Sequence, residues 1–328
     1  MLSLTSLNYG LKKIMDKAYI KDLKTGDSVK WYYVLKNKSK RTARTGKDYL
    51  DLTFEDKTGE INGKIWENAE KISEIINEGK IVFIDALVET YNNNKQLKIK
   101  EIREIFEDEI SPTDILPSSK ETPEKMWEKL ENILKKEVHN SFLLELIKRI
   151  STKYKTQFLN WPGAKKIHHS YVGGLLEHTL SVVEIALFLG EKYSLNKELL
   201  VMGGFLHDIG KIKEIKDVNE KSETEEGLLL GHIIIGVQIV KEEAQQIIGF
   251  PKELLTQLTH FIISHHGSYE FGSYQVPMTR EALALHFADY IDSQMNIFDN
   301  IINKFSGNGF ASDYDRRIGR KIYIGEKE

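Results

Sequence analysis

Residues 205–211 read Phe-Leu-His-Asp-Ile-Gly-Lys, an apolar helix-like segment that carries a histidine and an aspartate side by side. Neighbouring residues of a helix point about 100° apart, so His207 and Asp208 can face one point only where the helix unwinds. Gly210 indicates that the helix ends there. A buried carboxylate in such apolar surroundings is costly unless a cation or hydrogen-bond donors meet it. The segment therefore predicts a cation beside Asp208, and Lys211 adds a positive charge that would attract anions.

Further histidines accompany this segment elsewhere in the sequence. Nine of the ten histidines lie between His168 and His286. His178, His232 and the pair at 265–266 fall on separate predicted helices. A single histidine on an apolar helix face is ordinarily a satisfied core residue, whereas several imidazoles with carboxylates suit Mn, Fe, Co or Mg ions. Two such ions about 3.5–4 Å apart are a known solution for phosphoester cleavage.

The composition is that of an ordinary folded protein with room for more than one domain. The chain has 328 residues, of which 41% are hydrophobic and 29% charged, and its net charge is −3. This charge excludes a uniformly basic surface but not a local basic patch. Because there is no cysteine, thiol nucleophiles, disulfides and Cys-ligated metals are excluded. No segment has the length and apolarity of a membrane span, and the first residues lack the order of a signal peptide, so we expect a cytoplasmic protein.

The pattern changes from strand-like to helical along the chain. Five segments rich in β-branched and aromatic residues come first, with one helical stretch between the third and the fourth. This order predicts an OB-fold, a small five-stranded barrel. A proline-containing linker follows, and then a long region with the three- and four-residue apolar spacing of a helical bundle. The predicted parts are an N-terminal segment (1–17), the OB-fold (18–110), the linker (111–123), the helical domain (124–305) and a C-terminal tail (306–328).

The segment from Val34 to Lys47 is rich in positive charge. It contains six basic residues and no acid. We place it in the connection between the first two strands, which borders the oligonucleotide groove of OB-folds. Nearby aromatic rings would stack on bases while the cations contact phosphates; alternatively, the charges are simply solvated and the rings form the barrel core. The predicted nucleic-acid-binding residues are Lys36, Lys38, Lys40, Arg41, Arg44, Lys47, Trp31 and Tyr33.

Two longer motifs resemble one enzyme family. Residues 167–178 read Ile-His-His-Ser-Tyr-Val-Gly-Gly-Leu-Leu-Glu-His, and residues 265–267 read His-His-Gly. His178, the His207-Asp208 pair and Asp289 match the H, HD, D signature of the HD-domain metal-dependent phosphohydrolases. Together these motifs resemble the YhaM-type 3′-to-5′ exoribonucleases. The resemblance implies a multidomain protein of α and β structure, with an N-terminal OB-fold β-barrel followed by an all-α HD-domain helical bundle.

The resemblance also implies two metal ions and a role for each candidate residue. Asp208 would bridge the ions, and the ammonium group of Lys211 would stabilise the phosphate or its transition state, which makes these two the predicted catalytic residues. His266 would be a further ligand, a partner of a ligand or a proton donor. The implied ligands are His178, His207, Asp208 and Asp289 for the first ion and Asp208, His232 and His265 for the second, while His168 and His169 would contact the substrate or serve the fold.

These residues predict a metal-dependent exonuclease that shortens single-stranded RNA from its 3′ end by attack of a metal-bound water. Mn is the expected ion, with Mg, Co and Fe as alternatives, and single-stranded DNA and a second copy of the chain are further candidate partners. One alternative is an HD-domain phosphohydrolase or phosphodiesterase of small or cyclic nucleotides, with the barrel as an oligomer contact. A binding protein with an inactive HD domain is a third hypothesis, which the complete set of ligand residues disfavours.

Overall fold

The computed structural model describes residues 17–43, 45–105, 109–116, 119, 121–163, 171–216, 222–305, 309–316 and 318–325. The chain forms two units, Met1–Leu116 and Pro117–Glu328. The boundary between them lies inside the segment predicted as the linker. The first part of that segment packs on the first unit, because Pro112–Ile115 form one helical turn, α2, and the backbone N–H of Lys57 donates to the carbonyl of Ile115 at 2.7 Å.

The first unit is a closed five-stranded barrel. Its elements are β1 Ser28–Thr42, β2 Asp48–Asp56, β3 Gly59–Ile65, α1 Ala69–Ile75, β4 Ile81–Tyr91 and β5 Asn94–Glu104. The strand order is β1-β2-β3-β5-β4, and all neighbours are antiparallel except β3 and β5. The predicted barrel, with one helix between its third and fourth strands, is confirmed.

Alternation along the strands fills the barrel interior. In β2, Leu50, Leu52 and Phe54 are buried while the residues between them are partly exposed. Trp31 is 4% exposed and Tyr33 is fully buried. Neither ring has a free face on which a base could stack, so the structure corrects the role predicted for these two aromatic residues and assigns them to the barrel core.

β1 extends into the basic segment, which the sequence predicts to lie in the connection between the first two strands. The strand continues to Thr42 after a bulge between Leu35 and Asn37, and its end pairs with the start of β2 at Asp48. The bulge shifts the register, which lets the strand bend and remain paired. Most of the basic segment therefore belongs to a strand rather than to a loop, since β1 ends at Thr42 and β2 begins at Asp48.

The second unit is built from helices, as predicted. A single hydrophobic core connects them, from Met126 to Ala288. A 3₁₀ turn, Tyr269–Phe271, follows the helix that ends at Ser264. The helices are α3 Pro123–Glu137, α4 Ser141–Asn160, α5 Gly174–Tyr193, α6 Lys197–Leu206, α7 Lys211–Glu214, α8 Glu225–Gln245, α9 Lys252–Ser264 and α10 Arg280–Lys304.

α8 begins earlier than its apolar spacing predicts, and it contains a break. The spacing predicts a start at Gly231, but the hydroxyl of Thr224 accepts a hydrogen bond from the backbone N–H of Gly227 and caps a helical turn that begins at Glu225. Gly231 then adopts φ 70° and ψ 161°, a conformation that glycine tolerates far better than other residues. The break therefore lies directly before His232, a predicted metal ligand.

The C-terminal tail contains isolated β-bridges, between Ala311 and Tyr323 and between Asp315 and Arg320. Within the described ranges, every helix is too short or too polar to span a lipid bilayer.

Candidate metal centre and nucleic-acid interface

The end of α6 places His207 and Asp208 at the centre of the helical unit. α6 stops at Leu206, and both residues follow in the turn before α7. Nδ1 of His207 donates to the carbonyl of Gly204 at 2.8 Å, which leaves its Nε2 available. A Cβ atom at Gly210 would lie 1.9 Å from the carbonyl oxygen of His232. Glycine at this position thus lets the turn pack directly against α8.

The predicted ligands of the first ion converge from three parts of the chain. Nε2 of His178, on α5, lies 3.1 Å from Nε2 of His207. The same atom lies 3.2 Å from Oδ1 of Asp289, on α10. Oδ2 of Asp208 lies 3.4 Å from Nε2 of His178 and 3.4 Å from Nε2 of His207. These four residues therefore form one compact group.

Three more histidines lie on the other side of Asp208. Nε2 of His232 and Nε2 of His265 lie 3.5 and 3.7 Å from Oδ1 of Asp208. The ring centre of His266 lies 4.2 Å from that of His265 and 5.3 Å from that of His232. Donor atoms of these three histidines lie within 4.8 Å of one another, as do those of His178, His207 and Asp208. Asp208 thus presents one carboxylate oxygen to each group of imidazoles.

Several polar atoms of these residues have no hydrogen-bond partner among the described residues. We call the whole group the His–Asp cluster; it comprises His178, His207, Asp208, His232, His265, His266 and Asp289. Buried polar atoms are nearly always satisfied, and leaving one unsatisfied costs about 1–3 kcal/mol. Imidazole nitrogens and a carboxylate oxygen that face one another in this way fit a divalent cation, which the cluster is suited to hold. Among the described atoms of the cluster, the buried ones without a partner are Asp208 Oδ1, His232 Nε2, His265 Nε2 and His266 Nδ1.

The cluster shifts the ionisation of Asp208 and of His265 toward the forms that bind metal. Burial alone would raise the pKa of Asp208, but the ammonium of Lys211 and the imidazole of His207 hold it well below its usual value. Nζ of Lys211 lies 2.5 Å from Oδ2 of Asp208. Burial, followed by the charge of the neighbouring His266, holds the pKa of His265 well below its usual value. The carboxylate is thus ionised and the imidazole neutral, as ligands must be.

Asp292 and Ser181 support His178 from behind. Nδ1 of His178 lies 2.6 Å from Oδ2 of Asp292, and the hydroxyl of Ser181 donates to Oδ1 of the same carboxylate. Burial alone would lower the pKa of His178, but hydrogen bonds to its carboxylate neighbours hold it well above its usual value. Neither supporting residue is predicted from the sequence. The spacing of Asp292, three positions after Asp289 on one helix face, is the signal that could have identified it.

A cleft of about 400 Å³ opens beside the cluster. It brings together the two carboxylates of the cluster, the three histidines on the Oδ1 side of Asp208, Lys211 and several aromatic side chains. A substrate in this cleft would lie against the cluster directly. The lining residues are Asp208, Lys211, His232, His265, His266, Phe271, His286, Asp289, Tyr290, Ser293 and Gln294.

The basic side chains along β1 are engaged by neighbouring groups of the barrel. Nζ of Lys40 lies 3.1 Å from Oε1 of Glu70, and Nε of Arg41 lies 3.0 Å from Oδ2 of Asp51. Lys36 is likewise paired with acids, at 3.3 Å from one of them. Exposed ion pairs of this kind contribute little to stability. These three cations can therefore exchange a carboxylate for a phosphate at small cost.

The other predicted nucleic-acid-binding and substrate-binding residues differ in what the structure shows. Nζ of Lys38 donates to the carbonyls of Ser73 and Ile76 at 2.6 and 2.7 Å, so it satisfies the last turn of α1. Lys47 is exposed in the turn before β2. Three predicted residues lie outside the described part of the chain: Arg44, His168 and His169.

A different set of aromatic residues lies on the outer face of the barrel. The rings of Tyr49 and Trp66 stack, with centres 4.6 Å apart and planes 25° apart. Nζ of Lys64 lies 5.2 Å from the ring centre of Tyr49 and 5.0 Å from that of Tyr91. All four side chains are at least partly exposed. We call these four residues the outer aromatic strip, and its mixture of rings and cations is typical of surfaces that hold single strands.

Each of the two units contains a segment that matches a known protein family. Residues 175–294 match the HD domain, and residues 34–105 match an OB-fold nucleic acid binding domain. A 3′-5′ exoribonuclease YhaM from Geobacillus sp. (strain WCH70) is 34% identical over 300 residues, which cover 91% of this chain and 92% of that protein. The protein of the same name from Listeria monocytogenes serotype 4b (strain CLIP80459) is 32% identical over 304 residues, covering 92% and 96%.

A solved OB-fold domain aligns with a small part of this chain. The second OB-fold domain of replication protein A from Methanococcus maripaludis aligns at 18% identity and a TM-score of 0.23, covering 27% of this chain and 93% of that one. A similarity of this size supports no conclusion. The relatives described above carry the assignment, because they match this chain over nearly its whole length. The chain belongs to the family of YhaM 3′-5′ exoribonucleases.

Proposed function

We propose that this protein is a metal-dependent hydrolase that removes nucleotides from the 3′ end of single-stranded RNA, with the His–Asp cluster as its catalytic centre. One observation carries the assignment of the centre. The carboxylate of Asp208 lies between two groups of imidazoles, with Oδ2 toward one group and the unpartnered Oδ1 toward the other. A shared carboxylate of this kind is what two neighbouring ions require, and two-ion centres are well suited to phosphodiester cleavage.

The proposed ligands follow from this geometry. The first ion would be held by His178, His207, Asp208 and Asp289, and the second by Asp208, His232 and His265, with His266 beside them. Mn is the proposed metal, with Mg, Co and Fe as alternatives. The carboxylates of the cluster suit Mn and Mg, and its imidazoles suit Fe. When bound, such ions lower the pKa of water toward neutrality and neutralise developing charge on the phosphate.

The side chains of the cleft would position the phosphodiester for hydrolysis. The ammonium of Lys211, which is 8% exposed and lies at the cleft, would contact a non-bridging phosphate oxygen, where negative charge increases in the transition state. The oxygen of a water molecule forms the new bond to phosphorus, and the bond from phosphorus to the 3′-oxygen of the preceding nucleotide breaks. That oxygen takes up a proton. The products are a nucleoside 5′-monophosphate and an RNA shortened by one residue with a free 3′-hydroxyl.

Trimming of a labelled oligomer tests this function. Purified protein with Mn is given a 5′-labelled single-stranded RNA, together with cyclic and free nucleotides in parallel reactions. We expect a ladder of products that shorten from the 3′ end and that disappear when a chelator removes the metal. Hydrolysis of the small nucleotides alone would instead support the small-nucleotide phosphohydrolase. No turnover with Mn, Mg, Co or Fe would support a binding protein.

We also propose that the outer aromatic strip of the barrel holds the single strand. Replacing both Tyr49 and Trp66 by alanine is expected to weaken binding of a long single-stranded RNA about tenfold or more, since each stacked base contributes about 1–3 kcal/mol. Fluorescence anisotropy with a labelled oligomer measures the dissociation constant. Tyr193, a tyrosine on α5 that is 58% exposed, provides the matched control Tyr193→Ala.

The cation of the strip offers an independent measurement. Lys64→Gln is expected to lower the slope of log affinity against log salt concentration by about 0.7, the value for one phosphate contact with a single strand. An unchanged affinity in Tyr49→Ala/Trp66→Ala, together with an unchanged salt slope in Lys64→Gln, would remove the strip from the binding surface. Thermal unfolding of each variant shows whether the barrel remains folded.

A further inference from the structure

Two chemically different groups of side chains line the cleft beside the His–Asp cluster. The cluster residues at the cleft and Lys211 suit a phosphate group. We call Phe271, His286 and Tyr290 the aromatic side of the cleft, and Ser293 and Gln294 complete its lining. The cleft volume of about 400 Å³ falls within the range of about 300–1,000 Å³ that is typical of small-molecule sites. A phosphate-binding side next to an aromatic side is the arrangement that a single nucleotide requires.

The aromatic side is attached to the backbone of a proposed metal ligand. Nδ1 of His286 donates to the carbonyl of His265 at 2.8 Å. Gly267, with φ 83°, makes room for this ring, since a Cβ there would lie 2.1 Å from Cε1 of His286. The ring centre of Tyr290, one helical turn further along α10, lies 6.1 Å from that of His286. The ring of His286 is therefore fixed relative to the cluster, and the ring of Tyr290 lies beside it.

Phe271 ends the 3₁₀ turn in the connection between α9 and α10. This connection is held in place because the backbone N–H of Tyr274 donates to the carbonyl of Ile263, and that of Ser273 to the carbonyl of Ser268, at 3.0 and 3.1 Å. Phe271 is nevertheless 62% exposed, and Tyr290 is 44% exposed. Two exposed aromatic rings at the edge of a polar cleft indicate a surface that a ligand covers.

We propose that Phe271 and Tyr290 bind the base of the 3′-terminal nucleotide while its phosphodiester lies at the His–Asp cluster. This inference rests on the proposed exonuclease function and adds to it the site that receives the terminal nucleoside. Every base has an aromatic face, so stacking on these rings binds all four bases without reading their edges. The cleft thus explains how the terminal residue can be positioned during trimming that proceeds through any sequence.

An abasic end tests the proposal. Two 5′-labelled RNA oligomers are compared, identical except that the 3′-terminal ribose of one carries no base. For the wild-type protein we expect kcat/KM of the first cleavage to be about 5- to 150-fold higher with the base present, the range that corresponds to stacking of one base. In Phe271→Leu this ratio falls, and in Phe271→Leu/Tyr290→Leu it approaches one.

Matched controls separate base binding from general damage to the protein. Phe188→Leu changes a phenylalanine on α5 that is 69% exposed and outside the cleft, and it is expected to keep the wild-type ratio. A wild-type ratio of one, or a wild-type ratio that persists in the double variant, would overturn this inference while leaving the exonuclease function intact. A wild-type protein that trims neither oligomer with any metal would overturn both.

Discussion

Replacing Asp208 by asparagine is expected to lower the rate of 3′ trimming by about 10³-fold or more and to reduce the number of bound metal ions. The carboxylate faces both groups of imidazoles, so its loss affects both proposed ions at once. Stabilisation of the transition state by a metal is worth several kcal/mol, and each factor of ten in rate corresponds to about 1.4 kcal/mol. Rates come from the labelled-oligomer assay, and metal content comes from mass spectrometry of protein purified without chelator.

Asparagine is a better replacement than alanine because of Lys211. Nζ of Lys211 lies 2.5 Å from Oδ2 of Asp208, and the side chain of Lys211 is 11% exposed. Alanine would leave this charge buried without its partner, at a cost that reaches about 3–5 kcal/mol for a fully buried pair. Asparagine keeps an oxygen that accepts from Lys211 and removes the negative charge. Loss of activity in a folded protein can then be assigned to the metal centre.

Glu243→Gln is the matched control for this experiment. Glu243 is also a buried acid, 4% exposed, and its carboxylate accepts from Arg149 and Lys153 at 3.0 and 2.7 Å. It lies three turns beyond His232 on α8 and does not line the cleft. We expect this variant to lower the thermal unfolding midpoint while it keeps wild-type metal content and trimming. An Asp208→Asn protein that retained both ions and wild-type trimming would show that the cluster is not the catalytic centre.

The residues that could be predicted from the sequence are those whose chemistry is costly without a partner. A histidine next to an aspartate at an apolar helix end predicts a cation, and the structure indeed brings His207 and Asp208 next to distant imidazoles. The barrel was predictable from the order of its strands. Which aromatic side chains face outward was not, because Trp31 and Tyr33 lie in a run of buried residues that hides the two-residue alternation of β1.

Contacts that join distant positions were also beyond the sequence. Lys38 has the same charge as its neighbours in β1, and only the fold shows that it satisfies carbonyls at the end of α1. The kink before His232 depends on a backbone conformation of Gly231 that apolar spacing does not report. The spacing of Asp292 places it on the same helix face as Asp289, but its contact with His178 becomes visible only once α5 and α10 are placed side by side.

Replacing Asp292 by alanine is expected to weaken metal binding about 10- to 100-fold, the usual effect of removing a carboxylate that orients a ligand histidine. Nδ1 of His178 lies 2.6 Å from Oδ2 of Asp292. A histidine that offers Nε2 to a metal carries its proton on Nδ1, so this contact fixes both the tautomer and the orientation of the ring. Asp292→Asn keeps an acceptor but loses the charge, and we expect it to bind metal more tightly than Asp292→Ala. Isothermal titration calorimetry of metal-free protein with Mn gives the dissociation constants.

The dependence of activity on metal concentration distinguishes this positioning role from that of a ligand. Because Asp292 acts through His178, raising the Mn concentration about 100-fold is expected to restore most of the trimming activity of Asp292→Ala, whereas the activity of Asp208→Asn stays low at any concentration. Asp299→Asn is the matched control, since Asp299 lies two turns further along α10. Asp292 and Asp299 both line a second cleft of the helical unit, whose lining contains no histidine. Equal metal affinity in Asp292→Ala and wild-type protein would contradict the assignment, and Asp292 would then serve the packing of α10 on α5 alone.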